Sequence, residues 1–381
     1  MVQNIKDHQT GTGEGADILD DVHNTLTKYV RFPSPHASVS VALWIAATHG
    51  IPAWQHATRL AISSPQKRCG KSRLLDIVGA LSWQPLLCAS ATTAAIYRSL
   101  GDSDTPPTLI MDEVDAIFGT KTKAEQNDDL RALLNAGFGR NRPALRCVGP
   151  KQEPTPFATF AMAALAGIGR LPDTVTDRAV NIALQRRARG ETVASFRARR
   201  DSGELEKLST RINEWITANI GALADAEPAM PVEDREADTW EPLIAVADLA
   251  GGRWPKLARE ACRKLTRLEA EADADDGLDT LLLNDIRSVF TDAGDPEFMP
   301  SEMLTVELRK IEESPWGPGD LELTQRKLAC RLKPFNLRPG QNAAKTKRGY
   351  RPGDFADIFE RYLPVERKDP SIRPETPDDQ Q

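Results

Sequence analysis

Arg59-Leu-Ala-Ile-Ser-Ser-Pro-Gln-Lys-Arg-Cys-Gly-Lys-Ser-Arg-Leu-Leu-Asp76 reads as a strand, a tight loop and a helix. The apolar run Leu60–Ile62 stops at Ser63-Ser64-Pro65. Gly70-Lys71-Ser72 follows, and Leu74, Leu75, Ile77 and Val78 then recur at helical spacing. In that setting Gly-Lys-Ser is a phosphate-binding loop. Backbone N–H groups at the helix start face an anion. Lys71 supplies a point charge for the β and γ phosphates, and Ser72 a hydroxyl for Mg²⁺. The candidate nucleotide contacts are Pro65, Gln66, Lys67, Arg68, Cys69, Gly70, Lys71, Ser72 and Arg73. Two positions depart from the usual pattern. The first glycine falls on Pro65, which has no N–H to give and no access to positive φ, and the optional middle glycine falls on Arg68. Taken alone, the tripeptide is also compatible with a chance sequence at a helix start.

A second stretch narrows the choice. Thr108-Leu-Ile-Met-Asp-Glu-Val-Asp115 is an apolar run that fits a central parallel strand and ends in carboxylates. Asp112 is the candidate for the Mg²⁺ shell, and Glu113 for polarising an attacking water. A phosphate loop followed about 40 residues later by a strand ending in Asp-Glu points to ATP with Mg²⁺ far more specifically than either piece does.

Bulk properties exclude several classes. A chain of 381 residues predicts about two or three domains. No apolar run approaches the length of a membrane span, and the start lacks a basic-then-apolar signal pattern, so no membrane partner and a cytoplasmic location are expected. The five cysteines are scattered without a Cys-x-x-Cys pair, and the five histidines all precede residue 60, which argues against a disulfide frame or a zinc site. A net charge of −6 disfavours indiscriminate nucleic-acid binding, so any such site must be a local basic patch.

Alternating strands and helices to about residue 190 predict an α/β core, a parallel sheet with helices on both faces. Residues 1–16 read as a disordered tail and 17–190 as a nucleotide-binding core with two N-terminal helices. Trp54 is either a core residue or a neighbour of the adenine ring. Ala144–Val148 and Phe157–Ala166 read as a hairpin with Lys151 at its tip, and Ala179–Leu184 as the last strand before the basic stop Arg186-Arg187-Ala188-Arg189-Gly190. Residues 191–268 turn helical and are expected to form a lid domain. The acidic stretch 269–277 reads as a linker, 278–364 as three helices plus a basic hairpin (winged-helix-like), and 365–381 as a disordered tail. Arg331–Arg351 holds seven Lys/Arg and no acid. This is the local patch that the net charge demands. Arg326, Lys327 and Arg331 on the third helix, and Lys345, Lys347 and Arg348 on the hairpin, are the candidate DNA contacts, the helix for a major groove and the hairpin for phosphates. A solvated basic face on a protein-docking domain is the alternative.

The phosphate loop, the Asp-Glu strand and Ala164-Leu-Ala-Gly-Ile-Gly-Arg-Leu-Pro-Asp-Thr-Val-Thr-Asp-Arg178 together resemble helicase-like P-loop ATPases of actinobacterial prophages, plasmids and integrated elements. Asp234–Asp248 and the Trp316–Tyr350 region extend the resemblance over most of residues 17–363. That family has little assigned function and often sits beside a primase–polymerase module. More distantly the core is similar to AAA+ and hexameric helicase ATPases. The resemblance implies a P-loop (AAA+-like) sheet with a helical lid, a ring-like homo-oligomer, DNA as partner, and a priming enzyme in trans. It makes Arg178 a candidate arginine finger, Arg235 a candidate sensor of the γ-phosphate, and Lys151 part of a DNA-gripping hairpin. The polar sensor expected after the preceding strand is not evident in Ala164–Gly169. The function expected from these features is an ATP-hydrolysing helicase or translocase in replication of a mobile element. The rival is a DNA-binding initiator or regulator that uses ATP as an assembly switch.

Overall fold

The side-chain alternation of strand β1 (Arg59–Ser64) sets the sheet. Leu60 and Ile62 enter one apolar layer and Ala61 the other, as the two-residue period of a strand buried on both faces requires. The computed structural model describes residues 13–88, 92–101, 105–114, 128–148, 150–169, 171–311, 314–317 and 322–363. Residues 1–12 of the expected tail 1–16, the expected tail 365–381 and the charged stretch 119–127 lie outside them; residues 14–16 are already helical, so the first tail is shorter than expected. β1 belongs to a five-stranded sheet with β2 (Pro85–Leu87), β3 (Thr108–Met111), β6 (Ala163–Ile168) and β7 (Ala179–Ala183), in the order β2-β3-β6-β1-β7. Every pairing in it is parallel, with Arg59 opposite both Ala163 and Ala179.

One face of the sheet carries helices α1 (Glu14–Tyr29), α2 (Pro35–His49) and α3 (Lys71–Leu81). The other carries α4 (Thr93–Gly101), α5 (Asp128–Ala136) and the short α6 (Asp173–Thr176). Ser34 caps α2 by accepting from the Ala37 N–H at 3.2 Å. α2 is buried from Ala37 to His49, as an apolar helix without a polar face must be. Trp54 is a core residue, buried and donating to the Ala47 carbonyl at 2.7 Å.

Three expectations are corrected here. The helices after residue 190 form no separate lid. Leu205, Ile212 and Ile216 of α7 (Ala198–Ala218), and Leu243 and Ile244 of α9 (Asp234–Ala250, after the short α8, Ile220–Ala224), share one apolar cluster with α1, α2 and α3. Their stripes are apolar because they close the first face of the sheet. The expected linker is helical, inside α10 (Trp254–Asp292). Low apolar content did not prevent this, because its alanines and glutamates are strong helix formers. The hairpin's second strand is β5 (Glu153–Phe157), paired antiparallel with β4 (Ala144–Val148), while β6 is a separate strand of the main sheet. Pro154 and Pro156 are tolerated because this two-stranded ribbon needs no donor on its outer side.

The chain divides into two compact units, Met1–Glu269 and Ala270–Gln381. The second is organised around Leu282, Leu283, Ile286, Phe290, Leu304, Leu308, Trp316, Leu328, Tyr350 and Phe355. Its elements are the end of α10, then β8 (Met299–Pro300), α11 (Ser301–Lys310), α12 (Gln325–Leu332), β9 (Gly340–Gln341), β10 (Arg348–Tyr350) and α13 (Ala356–Tyr362). The strands form an antiparallel sheet in the order β8-β10-β9. Thr324 caps α12 by accepting from the Lys327 N–H. Trp316 Nε1 donates to the buried Asp285 Oδ2 at 2.6 Å. No helix among the described residues is long and apolar enough to cross a membrane.

Candidate functional site

Ligand sites in parallel sheets lie beyond the carboxyl ends of the strands, and that end of this sheet carries a cleft. It is lined by Lys67, Arg68, Lys71, Ser72, Asp112, Glu113 and Ile168, with a volume of about 410 Å³. That is within the range of small-molecule sites, roughly 300–1,000 Å³. Each residue arrives from a strand end. β1 leads into loop 65–70 and α3, β3 ends immediately before Asp112, and β6 ends at Ile168 between them. Gly70 caps α3 with φ +92°, a conformation open to glycine at little cost. Arg68, at the place of the optional glycine, has φ +68°. It therefore adopts the left-handed geometry that glycine would supply, at a strain of about 1–3 kcal/mol.

Lys71 Nζ donates to Ser64 Oγ at 2.7 Å, and Ser64 Oγ donates to the Gln66 carbonyl at 2.8 Å. Ser72 Oγ donates to Asp112 Oδ2 at 2.9 Å, across the end of β6. Asp112 Oδ1 accepts from the Glu113 N–H at 2.8 Å, and Glu113 has φ +56°. Cations therefore stand on one side of the cleft and carboxylates on the other. The oxygen pair fits magnesium. Neighbouring ligands about 2.1 Å from an octahedral ion lie about 3 Å apart, close to the spacing of Ser72 Oγ and Asp112 Oδ2.

Not every predicted contact reaches the cleft. Pro65, Gln66 and Cys69 do not line it; Cys69 is buried, with Sγ donating to the Gln66 carbonyl at 3.2 Å. Arg73 stacks its guanidinium 5.3 Å over the Phe196 ring. Ser64 and Ile168 were not predicted. Ser64 is simply the strand residue that Lys71 reaches, and an isoleucine after an apolar strand carries no sign of a site.

Arg178 and Arg235 sit at the other end of the sheet. The Arg178 carbonyl accepts from the Arg59 N–H at 3.0 Å, at the start of β1. Five strand steps of about 3.3 Å put that point roughly 17 Å from loop 65–70. Burial, with Arg235 adding, pulls Arg178 below the usual guanidinium value, while Asp177 opposes. Arg59 itself is buried and pulled down to about 9 by burial, with Arg178 adding. Arg235 pairs with Asp177 at 3.2 Å. The Thr239 carbonyl on the same helix accepts from Thr58 Oγ1 at 2.7 Å, so α9 starts beneath the strands. Arg235 is therefore not a γ-phosphate sensor for its own chain. Arg235→Ala is expected to leave that chain's nucleotide affinity within about twofold, the usual scale for an exposed ion pair, as read by titration with a fluorescent nucleotide. A tenfold loss would return it to the site.

Among the candidate DNA contacts, Lys151 is exposed at the β4–β5 turn, and Arg326, Lys327, Lys345, Lys347 and Arg348 are exposed on α12 and the β9–β10 hairpin. Arg331 is corrected. Its guanidinium pairs with Asp279 at 2.6 Å, both half-buried, so it holds α12 to α10 within the second unit.

Residues 183–362 match a family described as a protein of unknown function, DUF3631. An uncharacterized 28.9 kDa protein in the xis 5′ region of Saccharopolyspora erythraea is 43% identical over 189 residues, 48% of this chain and 69% of that one. The chain belongs to the DUF3631 family. The family match begins in β7, so the cleft of this DUF3631 chain lies outside it. Two A-form apo structures of the C-terminal region of NrS-1 were also found. One has a TM-score of 0.33 at 13% identity, over 88% of this chain and 75% of that chain. The other has 0.32 at 12%, over 87% and 74%. Values this low bear on neither the fold nor the activity of the DUF3631 chain.

Proposed function

We propose that this chain is a Mg²⁺-dependent P-loop ATPase acting on DNA, of the helicase or translocase type. The observation that carries the reading is the 2.9 Å contact of Ser72, at the start of the helix after β1, with Asp112, just after β3, beside Lys71 in one cleft. A phosphate-loop hydroxyl and a strand-end carboxylate are the protein ligands that a nucleotide-bound Mg²⁺ takes. Such an ion neutralises charge on the phosphates. Lys71 binds the β and γ oxygens, the N–H groups at the start of α3 add further donors, and Glu113 orients water and takes its proton.

The second unit supports the DNA half of the reading. Three helices and a basic hairpin have the outline of a winged helix, with exposed Arg326 and Lys327 on the helix and Lys345, Lys347 and Arg348 on the hairpin. We also propose a ring-like homo-oligomer, in which Arg178, out of reach of its own cleft, serves a neighbour's. The setting in a mobile element, with a priming enzyme in trans, rests on the sequence resemblance alone.

A second reading has its own observation. Ile168 lines the cleft at the end of β6, where a polar side chain would hold the attacking water. This favours slow turnover and ATP as an assembly switch. Phosphate release by the intact protein, measured with and without single-stranded DNA, separates the two. Stimulation by DNA is expected. Tight Mg·ATP binding with DNA-independent, near-background hydrolysis transfers the assignment to the switch, and absence of nucleotide binding removes both.

A further inference from the structure

The basic stop after the last strand is not used by this reading, yet its place is well defined. Between residues 184 and 200 stand six arginines and one glutamate, in a chain whose net charge is −6. After β7 the chain runs without regular structure to the start of α7, but it is pinned along its length. The Leu184 N–H donates to the Ser63 carbonyl at 2.8 Å, one residue before the end of β1. Glu191 pairs with Arg31 at 3.0 Å and accepts from the Ala188 N–H at 3.0 Å. The Ala194 N–H donates to the Lys28 carbonyl at 2.9 Å. Phe196 packs edge-on against Tyr29, and its ring lies under the guanidinium of Arg73, the residue after Ser72.

The strap, which follows β7, is therefore pinned to the phosphate-loop strand at one end and to the phosphate-loop helix at the other. Arg186, Arg187 and Arg189 lie between the first two pins, and all three are exposed. Arg186 and Arg189 have no carboxylate partner among the described residues. The strap's one carboxylate is held by Arg31 and by the Ala188 N–H, with Arg187 adding only its field. None of the three lines the cleft, which has its own cations in Lys67, Arg68 and Lys71.

We infer that Arg186, Arg187 and Arg189 form a second nucleic-acid surface, on the first unit, that takes the phosphodiester backbone of a single strand beside the nucleotide cleft. The inference rests on the proposed function only in taking DNA as the partner; the three arginines belong to the first unit, and α12 and the β9–β10 hairpin to the second. Guanidinia held at short intervals on a pinned strap meet successive phosphates with little further ordering. Contacts of this kind bind without reading sequence and weaken steeply with salt. The strap joins the strand and the helix of the phosphate loop, so a strand bound here is positioned to feel which nucleotide is present.

The test uses the full-length protein and a fluorescein-labelled oligothymidylate, with anisotropy read over a salt series. A fluorescent ATP analogue is titrated in parallel. Three variants accompany the wild type: R186A/R187A/R189A, R186K/R187K/R189K, and K345A/K347A/R348A in the second unit. Loss of three contacts is expected to reduce the log–log salt slope by about 2 and low-salt affinity roughly tenfold or more. The lysine variant should keep most of the slope, and the alanine variant should keep its affinity for the ATP analogue. An unchanged slope in the alanine variant, or a wild type that ignores the oligonucleotide, overturns the inference. So does a loss confined to the ATP analogue, which would assign the arginines to the nucleotide. The second-unit variant reports on the proposed DNA interface by itself, and hydrolysis on the ATPase, so each fails separately.

Discussion

Glu113→Gln is expected to bind Mg·ATP with near wild-type affinity and to hydrolyse it at least about 100-fold more slowly, the lower range for loss of a general base. The reason lies in how little else the change removes. Glu113 lines the cleft one residue after Asp112, its N–H is held by Asp112 Oδ1 at 2.8 Å, and its backbone sits at φ +56°. The amide keeps the shape, the backbone bond and the Ser72–Asp112 contact. It loses only the negative charge and the capacity to take a proton. Lys71→Ala should behave differently, losing affinity together with turnover, because Lys71 meets the phosphates in both ground and transition state. Phosphate release at saturating ATP, beside a nucleotide titration, separates the two patterns. If Glu113→Gln turns over like wild type while Lys71→Ala is inert, the base is another residue and this assignment fails.

The parts of the cleft that the sequence revealed are those with local causes. Strand, loop and helix follow one another in residues 59–81, and the alternation of Leu60, Ala61 and Ile62 already implies two covered faces. Lys71, Ser72, Asp112 and Glu113 converge because parallel strands deliver their carboxyl ends to one side. What stayed hidden depends on which end of the sheet a distant element approaches. Nothing in Asp234–Ala250 says that α9 begins beneath β1; only the pairing of Arg235 with Asp177, and of Thr239 on the same helix with Thr58, tells Arg235 from a cleft residue. The Arg331 pairing with Asp279 was hidden for a similar reason. It joins two helices whose meeting depends on the whole second core. The misplaced strand boundary at Phe157 had a local cause, since prolines at 154 and 156 argue against a strand except on a free edge, which is where β5 lies.

The largest effect on stability is expected from Gly349→Ala, and it should fall on one unit only. Gly349 lies in β10 opposite Pro300 of β8. A Cβ there would stand 2.1 Å from the Met299 carbonyl oxygen and 2.7 Å from the Pro300 Cα. Both are backbone atoms, so no side chain can swing aside. Relief requires β8 to separate from β10, which would undo the pairing of Tyr350 with Met299. Tyr350 is buried, its ring 5.9 Å from Phe355, which in turn meets Phe290 at 5.3 Å. Disturbance at β8 therefore enters the centre of the second core, at a cost of about 2–4 kcal/mol. Neither of the first unit's two clusters contains any of these residues. Calorimetry of the intact variant, with and without Mg·ATP, should show a transition that moves down with the substitution and does not respond to ligand. A second transition should keep its place and rise with ligand, because only the state that binds is stabilised. One transition shifting as a whole would mean that the two units unfold together, and the confinement of the disturbance to the second core would fail.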